Sequence, residues 1–152
     1  MNPALLLRRG RTFELLIAFM SCLLLAGGIA SADSDSDRSF TALITDAEGV
    51  ITELTNVSFY WEEKVSETAF VPHELRQVPV RRGAGTVKVR FATIREVEVE
   101  PAPDSSLLRV TITLTNGRTG EFQLAIAGSF KGESEFGEMH IPANSIRRIL
   151  FK

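Results

Sequence analysis

Residues Gly85–Val99 read GTVKVRFATIREVEV and residues Gly137–Phe151 read GEMHIPANSIRRILF. Laid over one another at an offset of 52, the two segments match without a gap. Gly85 falls on Gly137, Ile94 on Ile146 and Arg95 on Arg147, while Val87, Val89, Val97 and Val99 fall on Met139, Ile141, Ile149 and Phe151. Apolar and polar residues alternate at the start of each segment, break at Arg90-Phe91-Ala92-Thr93 or Pro142-Ala143-Asn144-Ser145, and alternate again behind an Ile-Arg pair. A period of two puts successive side chains on opposite faces of a strand. Each segment therefore predicts a strand, a short turn and a second strand.

The front ends of the two regions also correspond. Gly49 falls on Gly117, Glu53 on Glu121 and Leu54 on Phe122, now at an offset of 68. The change of offset puts extra residues in the first region, between about Phe59 and Arg81. Pro101 to Ser106 reads as a connector, because proline lacks the donor that a central ladder needs. The expectation is two related halves, about 40–100 and 107–152, sharing one core. A half alone is too small to bury a good core.

Strands are expected at roughly 40–46, 50–60, 86–91, 95–100, 107–115, 119–126, 136–141 and 146–151, with one or two more inside 61–82. The fold class is all-β: about eight to ten short antiparallel strands in a sandwich or barrel. Asn116-Gly117 suits a two-residue type I′ hairpin. The expected inward set is Val87, Val89, Ile94, Val97, Ile112, Leu114, Phe122, Met139, Ile141, Ile146, Ile149 and Phe151. The hairpin Val110–Phe122 resembles the first hairpin of Sm-type barrels, but the Asp-and-Asn RNA-binding loop of that family has no counterpart, so the resemblance implies no function.

The chain begins differently. Arg8, Arg9 and Arg11 precede an apolar run from Leu15 to Ala26, and Ala30-Ser31-Ala32 follows. That is the layout of a secretory signal peptide, so residues 1–32 are expected to be cleaved and 33–39 to form a flexible leader. The apolar run is shorter than the roughly 20 residues a spanning helix needs. The whole chain has 17 basic and 19 acidic residues, of which the signal takes three Arg and one Glu, leaving 14 and 18 for a net charge of −4. This mild acidity argues against nucleic acid as a partner. Cys22 is the only cysteine and lies in the signal, so no disulfide, thiolate nucleophile or cysteine metal site is expected in the exported form.

Chemistry-bearing residues are few. His73 and His140 are the only histidines, and neither stands in a recognisable Ser-His or Cys-His arrangement. Gly83-Ala84-Gly85 lacks the Lys-Ser/Thr that completes a phosphate loop. Glu138 and His140 share a strand face, and with His73 and Glu74 they would supply zinc-type ligands, though without ligand spacing. Asn56-Val57-Ser58 is a glycosylation sequon. The extra segment holds the only Tyr and Trp, Tyr60 and Trp61, together with Phe70, His73, Arg81 and Arg82. Aromatics with a polar handle suit a binding surface, although Trp61 would equally cover an open end of the core. These six residues are the expected binding set. Lys88 and Arg90 add a local basic stretch. The resulting expectation is an exported, non-enzymatic binding or scaffold domain, periplasmic or secreted. It would meet another envelope or extracellular protein, or a glycan, and need no cofactor. The alternative is a small extracytoplasmic metal-binding protein or hydrolase built on His73, Glu74, Glu138 and His140.

Overall fold

The structure is a computed structural model, described here for residues 38–100 and 107–152. The segments expected to be a signal peptide, a leader (up to residue 37) and a connector (101–106) lie outside the described residues. Eleven strands follow in chain order: β1 (Ala42–Asp46), β2 (Ile51–Lys64), β3 (Phe70–Leu75), β4 (Gln77–Arg82), β5 (Gly85–Arg90), β6 (Ile94–Glu100), β7 (Arg109–Leu114), β8 (Thr119–Leu124), β9 (Ser129–Ser134), β10 (Gly137–Pro142) and β11 (Ile146–Phe151). All pairings are antiparallel, within one sheet of order β10-β9-β2-β1-β11-β6-β7-β8-β4-β5, and β3 pairs with β2 off this path. The sheet is open rather than closed into a barrel.

The order reads the same from both ends when β1, β2, β4, β5 and β6 are set against β7, β8, β9, β10 and β11. The registers agree with this. At the centre, Val97 of β6 faces Ile149 of β11. On either side, Ile44 faces Ile149 and Val97 faces Ile112. Both flanking ladders shift register at the same place, between Thr45 and Asp46 in one and between Ile94 and Glu96 in the other. A single 3-10 turn follows both β5 and β10, at Phe91–Thr93 and Ala143–Ser145. The backbone N–H groups of Phe91 and Ala143 donate to Arg76 and Gly128, again 52 residues apart.

The core explains these strands. Alternate residues of β6, Ile94, Val97 and Val99, are buried, with one register shift, and Val110 and Ile112 of β7 meet them. Phe91, beyond one end strand, stacks on Phe130 of β9 near the other end of the order, with ring centroids 6.4 Å apart. It also meets Phe40 edge-on at 5.7 Å and Phe151 at 4.8 Å. The sheet thus curls around one core.

Five sequence expectations need correction. The expected strands leave a gap between 126 and 136, yet this stretch forms β9 with Phe130 buried. The residues read as extra between about Phe59 and Arg81 are only partly so: β4 occupies the place corresponding to β9 and buries Val78 and Val80, and among the described strands only β3 is additional. Val87 and Met139 were expected inside but are 46% and 37% exposed, because β5 and β10 are end strands with nothing beyond them among the described residues. The Asn116-Gly117 turn is not type I′. Only Gly117 has positive φ (86°), and the Asn116 side-chain oxygen accepts from Arg118 N at 3.0 Å, which fits a type I turn closed by a left-handed glycine. The barrel alternative gives way to the open sheet.

Candidate functional site

β2 is long enough to serve two neighbours along one edge. Its first part, Ile51–Leu54, pairs with β1, and its last part, Phe59–Lys64, pairs with β3. Along the other edge it pairs with β9. Between these parts Asn56 adopts φ of 52° and the β2–β9 register shifts. Arg76 holds this bulge, donating from Nη1 to Val57 O at 2.8 Å and from Nη2 to Asn56 Oδ1 at 2.8 Å. The sequon Asn56-Val57-Ser58 is therefore inside a strand, with Val57 and Ser58 buried.

Beyond the bulge, β3, β2, β9 and β10 present two distinct faces. Cross-strand registers put Ser58, Lys131 and His140 in one row and Glu74, Tyr60 and Ser129 in the next. On this outer face Lys131 Nζ lies 2.8 Å from Glu74 Oε1 and 3.3 Å from Glu138 Oε2, and 5.6 Å from the centre of the Tyr60 ring. Tyr60 donates its O–H to Glu62 at 2.6 Å and meets His140 edge-on at 5.3 Å. His140 Nε2 contacts Glu138 Oε1 at 3.1 Å, and the buried Ser58 hydroxyl reaches Glu74 at 3.5 Å. The charges respond to one another. Bonds to Glu74 and Glu138 raise the Lys131 ammonium above its ordinary value. Bonds from His140 and Lys131 lower Glu138. The bond to Glu62, with partial desolvation and the Glu62 charge, raises Tyr60.

The other face belongs to the core. Trp61 is half-buried and packs against it, with its ring 6.0 Å from Phe59. His73, opposite Trp61 in the ladder, stacks on it at 4.7 Å and 13°, and its Nε2 contacts Glu63 Oε2 at 3.0 Å. The six expected binding residues are therefore divided. Tyr60 is on the outer face with Glu74, Glu138 and His140. Trp61 and His73 cap the core. Phe70, 55% exposed, starts β3 beside the hairpin tip. Arg81 and Arg82 are at the far end of β4, paired with Thr86 and Gly85.

His73 and His140 thus lie on opposite faces, and no group of three or more potential metal ligands is gathered among the described residues. Between Glu74 and Glu138, where a cation would sit, the chain supplies its own in Lys131. Sequence reasoning passed over Lys131 and did not connect Glu62 or Ser58 with this face. Only the register across β9, β2 and β3 brings Lys131 to Glu74, 57 residues away.

A family described as "Uncharacterised protein" matches residues 36–152. The chain belongs to that family. The matched segment contains every described strand and leaves out the N-terminal apolar run. Comparison with curated proteins and with solved structures gives no match. No helix among the described residues is long and apolar enough to cross a membrane.

Proposed function

We propose that the protein is an exported, non-enzymatic binding or scaffold domain, acting in the envelope or outside the cell. Its contact surface is the β2–β3 hairpin together with the outer face around Tyr60. The observation that carries this reading is the place of β3. Among the described residues every other strand has a counterpart in the mirrored order, whereas β3 has none and pairs with a single strand. Apart from His73, which covers Trp61, the start of β3 is not spent on the core: Phe70 and Val71 are exposed, as is Val65 at the tip. An exposed apolar cluster suits contact with a protein partner. The Lys131 ion pairs link β3, β9 and β10 across the adjoining face, and side chains already ordered in this way lower the cost of binding. Export rests on the three-part N-terminal segment. The two halves are read as copies of one unit, with β3 as the later addition.

Photo-crosslinking tests the surface. With a photoreactive residue at Phe70, cells expressing the whole chain should yield a discrete protein adduct. The same residue at Ile51, exposed at the other end of β2, should not. Adducts from both positions alike, or from neither, would refute the assignment. Recovery outside the cytoplasm with an N-terminus at or near Asp33 tests export. A form retained in the cytoplasm with Met1 intact would refute it.

A further inference from the structure

The strand order ends in two hairpins, β4–β5 and β9–β10, and among the described residues β5 and β10 each pair with one strand only. An end strand offers a row of backbone N–H and C=O groups to a further strand. The two edges are opposite in charge. Gln77–Arg90 contains Arg81, Arg82, Lys88 and Arg90 and no acidic residue, whereas Ser129–Pro142 contains Glu133, Glu135 and Glu138 against Lys131. They also expose apolar side chains at corresponding places, Val87 on β5 and Met139 on β10.

We propose that the protein assembles head to tail, with β5 of one copy adding to β10 of a second copy. In an antiparallel register with Val87 opposite Met139, Lys88 stands opposite Glu138 and Thr86 opposite His140. Apolar side chains then meet on one face and opposite charges on the other, as the pleat requires. The charges also select the pairing. Two β5 edges repel one another, two β10 edges do likewise, and only unlike edges attract. Because the contact joins different surfaces, each added copy leaves one edge of each kind open, so growth ends in a ring or continues as a fibre. This edge meets the outer face around Tyr60 at Glu138 and His140 but does not include the β2–β3 hairpin, so cross-linking at Phe70 still tells the binding reading apart from the assembly.

Sedimentation velocity on protein from cells expressing the whole chain supplies the test. Species should grow with concentration past a dimer and diminish at high salt. Lys88→Glu and Glu138→Lys should each weaken association roughly threefold or more. An equimolar mixture of the two should restore it, because every altered edge then finds one of opposite charge. In a Cys22→Ser background, Val87→Cys mixed with Met139→Cys should form an intermolecular disulfide, and neither variant should do so alone. Circular dichroism verifies that the variants fold. A monomer at all concentrations, a mixture that fails to recover, or Val87→Cys cross-linking to itself would overturn the proposal.

Discussion

Replacing Trp61 with alanine separates core packing from recognition at the β2–β3 hairpin. The indole packs on Phe59 with ring centroids 6.0 Å apart and stacks on His73 at 4.7 Å. Truncating a fully buried Phe or Trp costs about 3–5 kcal/mol. Trp61 is only half-buried, so its share of burial lies below that range. The stack adds part of the ~0.5–1.5 kcal/mol an aromatic pair brings beyond its area. The expected loss is about 2–3 kcal/mol. With a urea m-value of ~2 kcal/mol/M, the unfolding midpoint should fall by about 1–1.5 M. Far-UV circular dichroism must report the transition, because Trp61 is the only tryptophan. Phe70→Ala is the control: that ring is 55% exposed, and its loss should change stability by no more than ~0.5 kcal/mol. A Trp61→Ala midpoint within ~0.3 M of wild type, or equal losses for the two variants, would show that Trp61 does not close the core.

Ile94 and Ile146 hold corresponding buried positions behind the two 3-10 turns, so Ile94→Ala and Ile146→Ala should each cost about 2–5 kcal/mol in chemical denaturation, and a large cost at one site alone would break the correspondence. Tyr60 is the only tyrosine, so tyrosinate absorbance reads it alone. Its midpoint should lie above 10.0 and move down in Glu62→Gln. Because the folded value is raised, the stability this bond contributes is complete below pH 10.0 and is lost as the pH rises through the folded value. Gly128→Ala should destabilise by about 1–3 kcal/mol or more. A Cβ there would stand 2.5 Å from Phe59 Cζ and 2.7 Å from Tyr60 O, and thermal melting checks the loss.

The strands around the two 3-10 turns were legible because alternation there continues through both arms. Alternation reports which side chains share a face, but not whether that face is covered. Val87 and Met139 alternate correctly and are still exposed, because their strands come last in the order. β9 was hidden for the opposite reason. Its inward residues are Phe130 and Gly132, and glycine gives no apolar signal. Gly132 is nonetheless required, since a Cβ would stand 2.9 Å from Thr55 O. β4 was read as insert because its tertiary role is set by β8, which lies more than 35 residues on. At the candidate site, the pairing of Glu138 with His140 on one face was readable from their spacing. Trp61 and His73 were not assignable to the inner face without the β2–β3 register.

The meeting of β1 and β11 has a consequence for connectivity. Ala42 pairs with Phe151, and Lys152 N donates to Thr41 O at 3.0 Å. Val99 with Val110 and Glu100 with Arg109 occupy the corresponding places in the β6–β7 ladder, where the chain itself makes the join. Topologically the domain is a loop with one link omitted, and where the polypeptide begins is immaterial to its ladders. A circular permutant that joins Lys152 to Phe40 through a short linker and opens between Glu100 and Leu107 keeps all ten strand pairings. It should fold to the same circular-dichroism spectrum, with the former connector as its two free ends.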